Sequence, residues 1–298
     1  MRKRILFLWI ALFSIVQTAV FSCTENSTER KPLAIWVRAY GNPAKEEINS
    51  YLVRTADQLS PHFDTTIMLC TNPDDPVLEA IQTLPENFPI KPVFANMRSF
   101  QQSLNQLTTE TPPSTPVLLL SVGLDIEPRL LIDALEWMHA GAYTVGWTIE
   151  SLGNDGTLPG KGWYNTAALY SPDCIQWLKE HPFPVWVDNG VEGSLLIEDR
   201  IVPIGGNEEI WLMGALYSEQ PQAFSVLNTK DILHFSNRTG TDIDFDAKMK
   251  RKTLVSDYYL EKKLNLTHRA LWSRLVILQK DGSTFSGADL FEAERACE

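Results

Sequence analysis

Apolar and polar positions alternate between two periods along the first half of this chain, and the switching between them predicts its elements. Residues 33–37 (Leu-Ala-Ile-Trp-Val) form a continuous apolar run of strand length. Residues 43–59 carry Ile48, Leu52, Ala56 and Leu59 at helical spacing, and residues 65–70 (Thr-Thr-Ile-Met-Leu-Cys) return to a strand pattern. Strand, helix, strand is a βαβ opening, which implies a parallel sheet with a right-handed crossover. The pattern continues with a short helix over 77–84, a strand over 90–95 and a helix over 97–107 bearing Phe100, Leu104 and Leu107. A loop over 108–115, a strand over 116–121 and a helix over 129–140, with Leu131, Leu135 and Met138 on one side, complete the regular part. From Ala142 the texture turns to strand and loop: 143–149 reads as a strand, and the Gly-rich 153–162 reads as a mobile active-site loop because it lacks the spacing and Lys-Ser/Thr pair of a phosphate loop. No internal repeat is present.

The N-terminus has its own pattern. Met1-Arg2-Lys3-Arg4 precedes an apolar stretch over 5–21 broken only by Ser14, Gln17 and Thr18, which reads as a signal peptide or a membrane anchor. Its length is at the short limit of the roughly 17–25 residues of a spanning helix. The cationic end stays cytoplasmic and the rest is translocated, so the protein is expected to be membrane-associated or exported. Val20-Phe21-Ser22-Cys23 also resembles a bacterial lipoprotein cleavage box with Cys23 lipidated, although Phe21 fits that box poorly. The expected organisation is therefore a signal or anchor over 1–23, a polar linker over 24–32, one α/β domain over 33–279 and a polar tail over 280–298.

Charge narrows the partners. A net charge of -11 argues against nucleic acid, whose phosphates demand Lys/Arg patches. The dense cluster Lys248, Lys250, Arg251 and Lys252 reads either as a solvated helix face or as a contact for a diphosphate. Beyond Cys23 only Cys70, Cys174 and Cys297 remain, without metal-type spacing, so neither a disulfide framework nor a zinc site is implied.

Two acidic pairs carry candidate chemistry. Asp125 and Glu127 follow the strand over 116–121, in Val122-Gly123-Leu124-Asp125-Ile126-Glu127-Pro128, and ligands gather at strand ends in open α/β sheets. Glu208 and Glu209 follow Gly205-Gly206-Asn207 and precede the apolar Ile210-Trp211-Leu212-Met213, which suits a catalytic base opening a packed helix. The plainer reading of that pair is acids favoured by a helix macrodipole. Asp74 and Asp75 sit in Asn72-Pro73-Asp74-Asp75-Pro76, which is turn chemistry before it is a contact to a base or ribose. Trp147, Trp163 and Tyr164 are core residues or stacking surfaces for a ring.

Taken in order, the opening Leu33-Ala34-Ile35-Trp36-Val37-Arg38-Ala39-Tyr40, the strand-end acids, the segment from Trp163 to Ser171 and the Glu208-Glu209 pair resemble the nucleotide-sugar-dependent glycosyltransferases of the GT-A fold, most nearly the family 2-like group. The resemblance implies a single α/β domain with a mainly parallel central sheet flanked by helices. It also implies a nucleotide-sugar donor, a glycan, lipid or protein acceptor, and transfer with inversion. Glu209, with Glu208 beside it, would supply the acceptor base. Arg38, Tyr40, Asp125, Lys248 and Arg251 would face the donor, and a divalent ion, Mn2+ or Mg2+, would be held by Asp125, Glu127 and His234. The chain departs from the family at the metal motif, where Asp125-Ile126-Glu127 stands for the usual Asp-x-Asp. The alternative reading is an exported or membrane-tethered protein that binds a nucleotide or sugar without turnover. It is prompted by a conflict, because nucleotide sugars are cytosolic or Golgi-lumenal. A surface hydrolase using the same acids is the weaker third.

Overall fold

Five successive apolar side chains, Leu33 to Val37, are at most 1% exposed in strand β1 (Pro32–Arg38), so both faces of this strand are covered. That burial is the signature of a parallel strand between two helical layers. The computed structural model describes residues 30–39, 41–97, 100–139, 142–147 and 167–183. Beyond these it describes 187–188, 191–192, 194–197, 200–203, 224–228, 276–279 and 284–286, with Leu212 and Asn265. Residues Pro32–Glu298 belong to one compact unit.

Helix α1 (Gly41–Leu59), strand β2 (Asp64–Thr71), helix α2 (Val77–Ile81), strand β3 (Ile90–Phe94) and helix α3 (Phe100–Glu110) follow β1. Then come β4 (Val117–Ser121), α4 (Pro128–His139), β5 (Thr144–Trp147), β6 (Ala167–Tyr170) and α5 (Pro172–Glu180). Short strands complete the described chain: β7 (Val187–Asp188), β8 (Val191–Glu192), β9 (Ser194–Ile197), β10 (Arg200–Pro203), β11 (Phe224–Asn228), β12 (Val276–Gln279) and β13 (Thr284–Ser286). Among the described residues the main sheet has nine strands in the order β13-β12-β11-β5-β6-β4-β1-β2-β3. β1 pairs in parallel with β2 and β4, β2 with β3, and β11 with both β5 and β12. β6 runs antiparallel between β4 and β5, and β13 antiparallel to β12. A separate four-stranded sheet has the order β10-β9-β7-β8.

The two faces of β1 meet different partners. Leu33, Ile35 and Val37 join a core with Ile48, Tyr51, Leu52, Ala56 and Leu59 of α1 and Leu130, Leu131 and Ala134 of α4. On the other face Trp36 packs 5.7 Å from the Tyr170 ring of β6 and donates its indole N–H to Thr111 at 2.9 Å. Asn105 of α3 exchanges two bonds of 2.8 Å with the backbone of Phe183, fastening the chain beyond α5 to this layer. α5 itself starts where its caps dictate: Ser171 accepts from the Cys174 amide at 3.0 Å, and Pro172 and Asp173 fill the first turn.

Several boundaries differ from the sequence reading for local reasons. α3 runs on through residues expected to be loop, and the hydroxyls of Thr108, Thr109 and Thr111 return bonds to the carbonyls of Leu104, Asn105 and Leu107. Met97, expected inside α3, precedes it, with its amide donating to the Asn72 side chain at 3.1 Å. Thr284–Ser286, within the segment read as a polar tail, adds the edge strand β13.

Candidate functional site

The order of the strands places a crevice. The chain moves from β1 outward to β2 and β3, then crosses back so that β4 lies on the opposite side of β1. Ligands of open α/β sheets sit at such a switch point, outside the carboxyl ends of the two strands. Here those ends are Arg38 and Ser121, which are directly paired in register, with Cys70 paired to Arg38 on the other side.

The loop after β1 is held from β2. Ala39 donates its amide to the Cys70 carbonyl at 3.1 Å. The Asp75 carboxylate takes the Gly41 amide at 3.2 and 3.0 Å and the Val77 amide at 3.0 Å. Gly41 has φ of 80°, a conformation that costs glycine nothing. Asp75 thus serves the turn, as its sequence context implied. Arg38 donates Nε–H to Ser103 of α3 at 2.7 Å and is partly exposed at the rim. Beneath it, burial pushes the Cys70 thiol up to about 11, with the Arg38 charge pulling the other way.

The turn after β4 is held from α1. The Leu124 amide donates to the Ser121 carbonyl at 3.1 Å, and Gly123 sits third in this turn with φ of 88°, as a type II turn requires. Tyr51 directs its hydroxyl at two carbonyls of the same turn, those of Ser121 and Leu124, each at 3.2 Å. Burial, before any other cause, raises the Tyr51 pKa; Thr55 opposes this, the Asp125 charge adds to it and Arg54 opposes it. The hydroxyl therefore remains a neutral donor. One helical turn further on, Arg54 donates Nε–H to Asp125 at 2.8 Å, and its guanidinium lies 5.8 Å from the centre of the Tyr51 ring. The side chains of Arg54 and Asp125 are 39% and 30% exposed, so water screens the pair only in part. Beside it a hollow of about 300 Å³ is lined by Glu46, Glu47, Ser50, Tyr51, Arg54, Val122 and Gly123.

Of the residues read as functional, Arg38 and Asp125 flank the switch point, in the β1 rim and the connection after β4. Asp125 and Glu127, expected to hold a metal ion at the strand end, lie apart from that end. β4 closes at Ser121, Asp125 lies beyond a turn against α1, and exposed Glu127 immediately precedes α4, its carbonyl accepting from Leu130 and Leu131. Among the described residues no group of three or more His, Cys, Asp or Glu is placed to hold a metal ion. Tyr40, Glu208, Glu209, His234, Lys248 and Arg251 lie outside the described residues, as do Trp163, Tyr164 and residues 1–29. Leu212, three positions beyond Glu209, is helical and fully buried. Among the described residues no helix is long and apolar enough to cross a membrane.

Tyr51 and Arg54 were not singled out from the sequence. Their three-residue spacing puts them on one helix face, but their partners lie 70 and more residues away, where no local pattern reaches.

No protein-family model matches the chain, and no curated protein matches it either. Solved structures do. Residues 1–349 of TarS from S. aureus, determined in complex with UDP-GlcNAc, align with a TM-score of 0.52 and 14% identity over 82% of this chain and 72% of that one. Glucosyl-3-phosphoglycerate synthase from Mycobacterium tuberculosis, determined with Mn2+ and UDP, aligns with a TM-score of 0.47 and 11% identity over 80% of this chain and 82% of that one. 4-Diphosphocytidyl-2C-methyl-D-erythritol synthase from Anaerococcus prevotii gives 0.37 and 16% over 51% and 76%. At such identities the likeness is one of fold, and the TarS alignment carries it. The chain is a mixed α/β domain resembling the GT-A architecture.

Proposed function

We propose that this chain is a glycosyltransferase that moves a sugar from a nucleotide-sugar donor to an acceptor hydroxyl. The observation that supports this most is the switch-point crevice between Arg38 and Ser121, in a sheet whose fold resembles that of UDP-GlcNAc-bound TarS. The nucleotide would lie over the ends of β1 and β2, where Asp75 holds the start of α1 at Gly41. Arg38 at the rim, with Lys248 and Arg251, would oppose the charge that gathers on the departing diphosphate.

In the transfer step the acceptor oxygen bonds to the anomeric carbon as the bond from that carbon to the diphosphate breaks. The proton leaves the acceptor oxygen for the Glu209 carboxylate, and attack opposite the leaving group inverts the anomeric centre. Glu208 would serve the start of the same helix. A divalent ion, Mn2+ or Mg2+, is a usual partner of such a diphosphate. Among the described residues no group of three or more His, Cys, Asp or Glu is placed to hold one: Asp125 is engaged by Arg54, Glu127 is exposed before α4, and His234 lies outside the described residues. The acceptor is a glycan, lipid or protein, and the N-terminal segment would bring the enzyme to a membrane or export it.

The engagement of Asp125 by Arg54 favours one second reading, a tethered or exported protein that binds a nucleotide or sugar and does not turn it over. Calorimetric titration with a panel of nucleoside diphosphates, with and without Mn2+, followed by transfer assays with the matching nucleotide sugar, tests both. Binding with turnover supports the transferase, binding alone supports the second reading, and no binding removes both.

A further inference from the structure

We infer that Asp125 is a positioning residue: bound to Arg54 and working with the Tyr51 hydroxyl, its carboxylate fixes the turn Ser121–Asp125 at the crevice instead of binding a metal ion. Its consequence for the crevice rests on the proposed nucleotide-sugar reading, whereas the clamp itself rests on geometry alone.

Two donors reach from α1 to a stretch of five consecutive residues: the Tyr51 hydroxyl, shared between two carbonyls, and Arg54 Nε–H. Tyr51 holds the carbonyls of the first and fourth, Ser121 and Leu124, at 3.2 Å each, and Arg54 holds the carboxylate of the fifth at 2.8 Å. Within the turn Ser121 and Leu124 close on each other at 3.1 Å around Gly123. Tyr51 is 2% exposed and packed in the core, so its hydroxyl is an anchor with little freedom of its own. Arg54 is the outer jaw, steadied by the Tyr51 ring beneath its guanidinium. Both sides of the switch point are fastened from a neighbouring element, because Asp75 does for the β1–α1 loop what Tyr51 and Arg54 do for the β4–α4 turn. The two fastenings meet on α1, whose first amide is held by Asp75 and whose middle holds the turn. α1 therefore sets the width of the crevice by gripping both of its lips.

A carboxylate that coordinates a cation must offer its lone pairs to it, and the one facing Arg54 is committed to a guanidinium N–H. A cation on the other oxygen would stand close to the guanidinium already bound to Oδ1, and the repulsion between the two like charges would weaken the outer fastening of the turn. Positioning and ligation are thus competing roles with different signatures.

The test compares wild type, Arg54→Ala, Asp125→Ala, the double variant and Asp125→Asn in the full chain, with circular dichroism as the check on folding. Amide hydrogen exchange over residues 121–126 is followed without ligand, and UDP binding is titrated in Mn2+ and in EDTA. For a clamp, exchange rises by the same factor in both alanine variants, roughly two- to fivefold as a partly exposed ion pair supports, and the double variant adds nothing. UDP affinity falls by one common factor in both alanine variants, equally in Mn2+ and EDTA. Asp125→Asn stays near wild type, because its amide oxygen still accepts from Arg54. Two results overturn the proposal: loss of Mn2+-dependent UDP binding in Asp125→Ala and Asp125→Asn but not in Arg54→Ala, or unchanged exchange in every variant. If wild type binds no UDP, the crevice reading fails while exchange still decides the clamp. If an alanine variant does not fold, Arg54→Gln and Asp125→Ser, which break the pair with a smaller loss of side chain, carry the same comparison.

Discussion

Asp75 accepts the amide of Gly41 through both carboxylate oxygens, at 3.2 and 3.0 Å, and so ties the start of α1 to the turn after β2 across 34 residues. One of those oxygens also accepts from Val77 at 3.0 Å, so a single side chain holds the first amide of α1 and that of α2. Asp75→Ala is expected to cost about 1–2 kcal/mol of stability by urea denaturation, and Asp75→Asn less, since one oxygen acceptor remains. The same substitution should weaken nucleoside diphosphate binding, because the loop over the crevice loses its fastening.

Trp36 fills the opposite face of β1, stacked at a tilt on Tyr170 and bonded to Thr111. Trp36→Phe keeps an aromatic body and loses the indole donor, so about 1 kcal/mol is expected. Trp36→Ala empties a fully buried site and should cost roughly 3–5 kcal/mol. Equal unfolding midpoints for the two variants would show that packing at this site contributes little.

The buried thiols give the protein an alkaline limit. Burial raises Cys70 from 9.0 to about 11, and burial followed by the nearby Asp173 raises Cys174 in the same direction. A folded pKa above the unfolded one means that the unfolded chain releases the proton first as pH rises. The contribution of Cys70 is therefore complete below pH of about 9 and is lost towards pH 11, on the order of 3 kcal/mol in all. Urea midpoints at pH 7, 9 and 10.5 should fall progressively in wild type and more shallowly in Cys70→Ala. Parallel pH profiles would contradict this.

Glu209→Gln should leave the fold and donor binding intact and remove transfer by about 10²–10⁴-fold, the usual worth of a general base. Glu208→Gln should be milder. Single-turnover rates for the three proteins with a donor found by binding are the measurement, and an unimpaired Glu209→Gln enzyme removes that residue from the mechanism.

Binding of the nucleoside diphosphate should not be lost on substituting Glu127 by Ala, since among the described residues this exposed side chain shares no hydrogen bond with Tyr51, Arg54 or the turn Ser121–Asp125. Titration in Mn2+ gives the answer directly, and a large loss of affinity would return Glu127 to the diphosphate.

The sequence by itself determined the alternation of strands and helices from β1 to β5, because each of those elements carries its own period. Burial on both faces makes β1, β4 and the Ile67–Cys70 part of β2 continuous apolar runs, and one buried face makes α1, α3 and α4 periodic. Asp75 was readable as turn chemistry for the same reason, since Asn72-Pro73-Asp74-Asp75-Pro76 is a local signal. The antiparallel insertion of β6 between β4 and β5 carries no such mark, as four buried residues, Ala167–Tyr170, look alike in either direction. The short strands β7 to β10 are likewise too brief to show a period. Asp125 was found by its place after a strand, but its partner was not. Whether a carboxylate faces an ion or a guanidinium depends on which helix packs over it, and only the folding of α1 across the sheet brought Arg54 and Tyr51 to a turn 70 residues away.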